Sequence, residues 1–261
     1  MCMDQMGEKP AGRGNLSMPL AGLEKSFAKA APHYARYARV QTALADWLAE
    51  WLPRERAGRA LEVGAGPGGF TAHLAGWPGG VTATDLSTAM VAAGRASVPW
   101  ADWRTMAAER PLPGPWAAIF SCAMLQWVAE PEQVFAAWRA QLAPGGRVVG
   151  ALFADGSLPE WREIAQDDGS LPWRTPGEWR AALAQTGLRV VRDEAVTRVF
   201  PHPTARDFLR SLHGVGAAPV RRLAPGALRG KLRRYDARFA APGGGVRATW
   251  VFYRFEAERP G

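Results

Sequence analysis

One stretch constrains this chain more than any other: Leu61-Glu62-Val63-Gly64-Ala65-Gly66-Pro67-Gly68-Gly69-Phe70-Thr71. The run before the glycines, Arg59 to Val63, has the length and apolar character of a short buried strand. The glycines then permit a sharp turn and the close approach of a ligand, because no Cβ stands in the way. A helix is expected over 68–76, with unpaired N–H groups at its start. Strand, glycine turn and helix in that order put a nucleotide-type site at the carboxyl end of the strand. Gly64, Gly66 and Gly69 spell G-x-G-x-x-G, which also fits a dinucleotide enzyme or a tight turn that holds nothing.

Two acids narrow the choice. Glu62 stands two residues before the first glycine, where an acceptor could hold an ammonium group. Asp85 closes the next apolar run, Val81 to Asp85, where its carboxylate could take both hydroxyls of a ribose. Glu-x-Gly-x-Gly-x-Gly with an acid at the second strand end resembles the class I S-adenosylmethionine (SAM) methyltransferases. That resemblance implies SAM as cofactor, held by Glu62, Gly64, Ala65, Gly66, Gly68, Asp85, Leu86, Met90, Met106 and Ala107. It departs at the end of the third strand, where relatives usually carry an acid and this chain has Met106-Ala107-Ala108. Contact with an adenine there would have to be apolar or through backbone. A nicotinamide dehydrogenase stays open on the glycine spelling alone.

At 261 residues there is room for one full α/β domain and a small appendage. Residues 1–20 mix Gly, Pro and polar residues without periodicity and are expected to be disordered. From Leu23 to Leu52 apolar residues recur at helical spacing, with Pro32 dividing a short helix from a longer one over about 35–52. Strands are expected at 59–63, 80–85, 100–106, 116–122 and 147–153. Helices are expected at 88–97, capped by Ser87, and at 131–142. Strands alternating with helices in this way imply a parallel sheet. Later come a helix over 175–186, a strand or hairpin arm over 188–200, cap helices over 204–212 and 225–239, and a last strand over 247–256.

Charge and cysteine exclude several classes. The net charge is +8, and the nine Arg and Lys between Thr204 and Phe239 face only two acids, so that segment carries +7 of it. Such a segment suits nucleic acid, an acidic protein or an anionic substrate, or simply a solvated arginine-rich face. Cys2 and Cys122 are the only cysteines, too few for a zinc site or a disulfide framework. No transmembrane run or apolar signal core is apparent, so a soluble, cytoplasmic protein is expected; a monomer is one reading, and the sequence leaves the oligomeric state open.

A narrower resemblance rests on several stretches together. Phe27-x-x-Ala30-Ala31-x-x-Tyr34-x-x-x-Ala38-x-x-Gln41 precedes the glycine motif. Leu125-Gln126-Trp127-Val128, Leu142-x-Pro144-Gly145-Gly146, Gly156-Ser157-Leu158-Pro159-Glu160 and Arg210-Ser211-Leu212-x-Gly214-x-Gly216-Ala217 follow it. The set, over residues 24 to 256, is similar to the malonyl-[acyl-carrier protein] O-methyltransferases of biotin synthesis. It implies a Rossmann-like, seven-stranded α/β sheet with N-terminal helices and a small helical cap at about 201–246. The implied reaction moves a methyl from SAM to the free carboxylate of malonyl on acyl-carrier protein or on CoA. Acyl-carrier protein is the implied partner, with no nucleic acid, membrane or metal. Strand 4 begins Trp116-Ala117 rather than the common Phe-Asp, and the segment between the cap helices is short.

A carboxylate with a pKa of about 4 is already ionised at neutral pH, so no general base is expected. It does need a clamp, for which Arg210, Ser211 and His213 are the candidates. Tyr34 is expected to close over the methyl group, and Gln126 and Trp127 to form a substrate wall. Each has a plainer reading, as a basic cap face or as core packing. Three other functions stay open: carboxyl methylation of a small acid such as trans-aconitate, SAM binding without turnover, and nucleic-acid methylation. The last lacks an Asn/Asp-Pro-Pro-aromatic motif and paired cysteines.

Overall fold

The computed structural model describes residues 20–53, 56–166, 173–217 and 225–261. The expected disordered leader therefore lies outside the described residues except for Leu20, as do Arg221 and Arg222 of the basic segment. The strands are β1 Ala60–Val63, β2 Val81–Asp85, β3 Asp102–Thr105, β4 Trp116–Cys122, β5 Leu142–Phe153, β6 Arg189–His202 and β7 Val246–Glu258. They form one sheet in the order β3-β2-β1-β4-β5-β7-β6. β1 to β5 pair in parallel, and β7 runs antiparallel to both β5 and β6. Chain order reverses at β1, which lies between β2 and β4. A reversal of that kind leaves a crevice at the carboxyl ends of the strands.

The α-helices are α1 Leu20–Ala30, α2 Tyr34–Tyr37, α3 Arg39–Ala49, α4 Thr88–Ser97, α5 Pro131–Gln141, α6 Pro159–Ala165, α7 Pro176–Gln185, α8 Ala205–Gly214 and α9 Pro225–Arg238. Ser87 caps α4 as expected, accepting from the Met90 N–H. α7 opens on a reciprocal capping box between Thr175 and Glu178. The expected helix over 35–52 is broken at Ala38, whose ψ of 22° leaves the helical range. The expected helix over 68–76 does not form. Its place is taken by turns and one 3-10 turn, Thr71–Leu74, because Gly68 and Gly76 both adopt positive φ and interrupt any longer ladder. β5 starts five residues early, at Leu142. Its Pro-Gly-Gly stretch is a strand end paired with the C-terminus, where Gly145 N–H donates to Arg259 and Arg259 N–H to Gly146.

Apolar residues cover both sheet faces. On one, α5 and α7 bury Phe135, Trp138 and Trp179 against β4, β5 and β7. On the other, α3 is joined by α6, α8 and α9, the last two lying between β6 and β7. Trp161 of α6, Phe208 of α8 and Tyr235 of α9 meet one another and are each less than 2% exposed. The Tyr235 hydroxyl donates to Arg247 of β7 at 2.8 Å. Burying aromatic rings of this size contributes roughly 1.5–3 kcal/mol each, which holds α6, α8 and α9 together against the sheet. Among the described residues no helix is long and apolar enough to cross a membrane.

Candidate active site

The site is built from the carboxyl ends of β1, β2 and β4. After β1 the chain turns at Gly64 (φ +74°), where a Cβ would sit 2.2 Å from Met124 Cγ. Gly66 (φ +56°) differs, since a Cβ there would meet no protein atom within 4 Å. One glycine admits the protein's own side chain, and the other leaves space for something else.

Asp85 ends β2 with both oxygens oriented by backbone. Oδ2 accepts from Gly66 N–H at 2.9 Å and Oδ1 from Ser87 N–H at 2.8 Å. Burial raises its pKa, and those two bonds oppose the rise. Each oxygen keeps a free lone pair, the arrangement a vicinal diol requires.

Glu62 is 1% exposed, and its Oε2 has no hydrogen-bond partner among the described residues; the buried Thr71 Oγ1 lacks one too. Burial pushes the carboxyl up to about 8, and the Asp85 charge adds to this; the Thr71 hydroxyl, close by though outside hydrogen-bonding geometry, opposes it. A buried acid with an unused oxygen is an orphan that a ligand cation would satisfy.

Between these groups lies a cavity of about 730 Å³, within the usual range for small-molecule sites. Glu62, Gly64, Ala65, Gly66, Gly68, Asp85, Leu86, Met90, Met106 and Ala107 all lie on its wall. Met106 is held from both sides: its N–H donates to Asp85 O at 2.9 Å and its Sδ accepts from Leu112 N–H at 3.2 Å. The orphaned Glu62, the diol-ready Asp85 and the open face of Gly66 fit the amino, ribose and linking parts of SAM in that order. The fit has one gap, since the acid expected beside an adenine is replaced by apolar Met106 and Ala107.

Tyr34 and Trp127 close the cavity from the N-terminal segment and from the 3-10 turn Leu125–Trp127 that follows β4. Burial raises the Tyr34 pKa, with Cys122 and Asp85 adding to it. Trp127 packs edge-on against Phe27 at 5.9 Å. A second, smaller cavity of about 20 Å³ adjoins and shares Phe27, Tyr34, Gln41, Ala123 and Trp127 with the first. Gln126 lines only this one; its Nε2 donates to Ala123 O at 2.7 Å while its buried Oε1 has no partner among the described residues.

Arg210, Ser211 and His213 are not brought to either cavity. Arg210 is exposed and pairs with Asp207 at 2.5 Å. The Ser211 hydroxyl donates back to Phe208 O at 2.7 Å. His213 is exposed near Lys29, and its pKa is lowered by partial burial and then by that charge. From the same run it is Leu212, Val215 and Ala217 that reach the small cavity. Sequence reasoning passed over Arg36, which lines the large cavity, and Ala123, whose left-handed φ of 58° stands where the two cavities meet. Arg36 was legible only as a neighbour of Tyr34, and nothing in the sequence marks Ala123.

Comparison with known proteins places the chain. A family model described as "Methyltransferase domain" matches residues 34–193. The malonyl-[acyl-carrier protein] O-methyltransferase of Geobacter sulfurreducens is 30% identical over 258 residues, covering 88% of this chain and 95% of that one. The trans-aconitate 2-methyltransferase of Delftia acidovorans is 35% identical over 145 residues, covering 53% and 54%. Among solved structures, a geranyl diphosphate methyltransferase in complex with geranyl diphosphate and sinefungin superposes with a TM-score of 0.56. It is 15% identical, over 92% of this chain and 98% of that one.

Proposed function

Because this chain belongs to the methyltransferase-domain family of class I, SAM-dependent enzymes, we propose that its acceptor is the free carboxylate of malonyl carried by acyl-carrier protein, or by CoA. The observation that carries this reading is similarity along nearly the whole length of a malonyl-[acyl-carrier protein] O-methyltransferase. The product would be the methyl ester that primes pimeloyl formation for biotin, made in the cytoplasm.

Bound SAM supplies an electrophilic methyl group on sulfur. The rest is positioning by this chain's residues. Glu62 would receive the ammonium group and Asp85 the ribose hydroxyls, while Met106 and Ala107 face the base. Tyr34 and Trp127 would exclude water from the carboxylate oxygen and the methyl carbon. An ionised carboxylate would accept that methyl without giving up a proton, so no residue of the chain is needed as a general base. Alignment of this kind is worth roughly 7–11 kcal/mol where it is well realised. With the Arg210 segment turned outward, Gln126 and the small cavity are the neutral side of the acceptor site.

The carrier would dock on the cap. Arg206, Arg229, Arg233 and Arg234 are exposed on α8 and α9 and have no acid partner among the described residues, which suits an acidic protein. Mass spectrometry of malonyl-acyl-carrier protein after incubation with enzyme and SAM tests the reading. A gain of one methyl, absent with acetyl-carrier, is expected. No gain while SAM binds would direct attention to a small acid such as trans-aconitate, the second reading, which the similarity to the Delftia enzyme favours.

A further inference from the structure

The large cavity is lopsided in charge. Among the described residues its wall carries three carboxyl side chains, Glu62, Asp85 and Glu109, and a single side chain of permanent positive charge, Arg36. Arg36 sits on α2, two residues past Tyr34, and is exposed at the cavity rim. Among the described residues its guanidinium meets no acid; its neighbour is the Tyr37 ring, 5.6 Å away at the centroid. Arg147, Arg162, Arg180 and Arg192 are paired with carboxylates, and the unpaired Arg206, Arg229, Arg233 and Arg234 of α8 and α9 do not line the cavity, so Arg36 alone brings an uncommitted guanidinium to it among the described residues.

Both reactants of the proposed reaction would bring a carboxylate into this space, one on the amino-acid end of SAM and one on the acceptor. Placing that charge beside Asp85, and beside Glu62 once an ammonium group has ionised it, is repulsive unless a cation offsets it. Glu62 can take an ammonium group but not a carboxylate, and the cations of α8 lie elsewhere. We propose that Arg36 is the carboxylate-binding group of the cavity, its planar fork of donors receiving a ligand carboxylate. The proposal rests on the methyltransferase reading.

Two nucleosides separate the two sources of carboxylate. S-adenosylhomocysteine carries the amino-acid carboxylate and 5′-methylthioadenosine does not. Titration calorimetry on wild type, Arg36→Gln and Arg36→Lys reads both. If the cofactor carboxylate is bound, Arg36→Gln loses about tenfold in affinity for the first nucleoside, keeps its affinity for the second, and Arg36→Lys recovers part. If the acceptor carboxylate is bound, both affinities stay and KM for malonyl-acyl-carrier protein rises about tenfold at unchanged kcat. Unchanged affinities with an unchanged KM would overturn the proposal. So would a parallel loss for both nucleosides, which reports a distorted wall. Should wild type bind the nucleosides yet leave malonyl-carrier unmethylated, the nucleoside pair alone decides. A wild type that binds neither nucleoside fails the methyltransferase reading first, and the proposal with it.

Discussion

Glu62 is held in the wrong protonation state for the role its position offers. With its pKa pushed up to about 8, the free protein keeps it neutral at pH 7, whereas a ligand ammonium group needs the carboxylate. Binding below that pKa must therefore expel a proton. Calorimetry of S-adenosylhomocysteine binding in buffers of different ionisation enthalpy should show close to one proton released near pH 6.5 and almost none above about pH 9. Glu62→Gln should release none and bind more weakly. Stability has its own sign. Because the folded pKa lies above the ordinary 4.5, the native state holds more protons than the unfolded one between about 4.5 and 8. The contribution is full below that window and is lost as pH rises through it, by at most about 1.4 kcal/mol per pH unit. Glu62→Gln should thus gain Tm over wild type as pH is raised from about 5 to about 8.5. A difference that stays flat with pH would show that Glu62 ionises normally.

At the scale of elements, the glycine turn makes two positions of one motif behave differently. Gly64→Ala places a methyl 2.2 Å from Met124 Cγ and strains a φ of +74°, so a loss of roughly 2–3 kcal/mol is expected, with or without ligand. Gly66→Ala meets no protein atom and should lose only about 1 kcal/mol of stability through its backbone. Its effect should fall on nucleoside affinity. Thermal denaturation with and without S-adenosylhomocysteine separates the two, and a Gly66→Ala protein that binds normally would remove the ligand from that face. The motif was legible because strand length, glycine spacing and the two acids each have a physical reason. The helix read after it was not, since apolar spacing over 68–76 cannot show that Gly68 and Gly76 both turn left-handed. α8 teaches the converse. Ala205, Phe208, Leu209 and Leu212 are buried, so Arg206, Arg210 and His213 point outward. That helical stripe was already visible in the sequence, and the expected clamp set it aside in favour of a motif match.

For the whole molecule, the question is why so much positive charge sits on the segment between β6 and β7. Of its described cations, Arg210 and Arg238 are neutralised by Asp207 and Glu163, whereas Arg206, Arg229, Arg233 and Arg234 are exposed without an acid partner among the described residues. If they steer an acidic carrier, the attraction acts over about a Debye length, which shrinks as salt is added. Raising NaCl from about 50 to about 300 mM should raise KM for malonyl-acyl-carrier protein several-fold, while KM for a small malonyl thioester moves less than about twofold. Reversing Arg229, Arg233 and Arg234 to Glu should raise the carrier KM at low salt and abolish most of its salt dependence. The fold should survive that change. α9 is anchored by Leu232 and Tyr235 on its inner side and by Phe239 just past its end, and Tyr235 reaches β7, while Arg229, Arg233 and Arg234 are exposed. Equal salt dependence for carrier and small thioester would mean that the field acts on the malonyl carboxylate itself. The cap arginines would then be a solvated surface, and recognition of the acceptor would fall to the cavity alone.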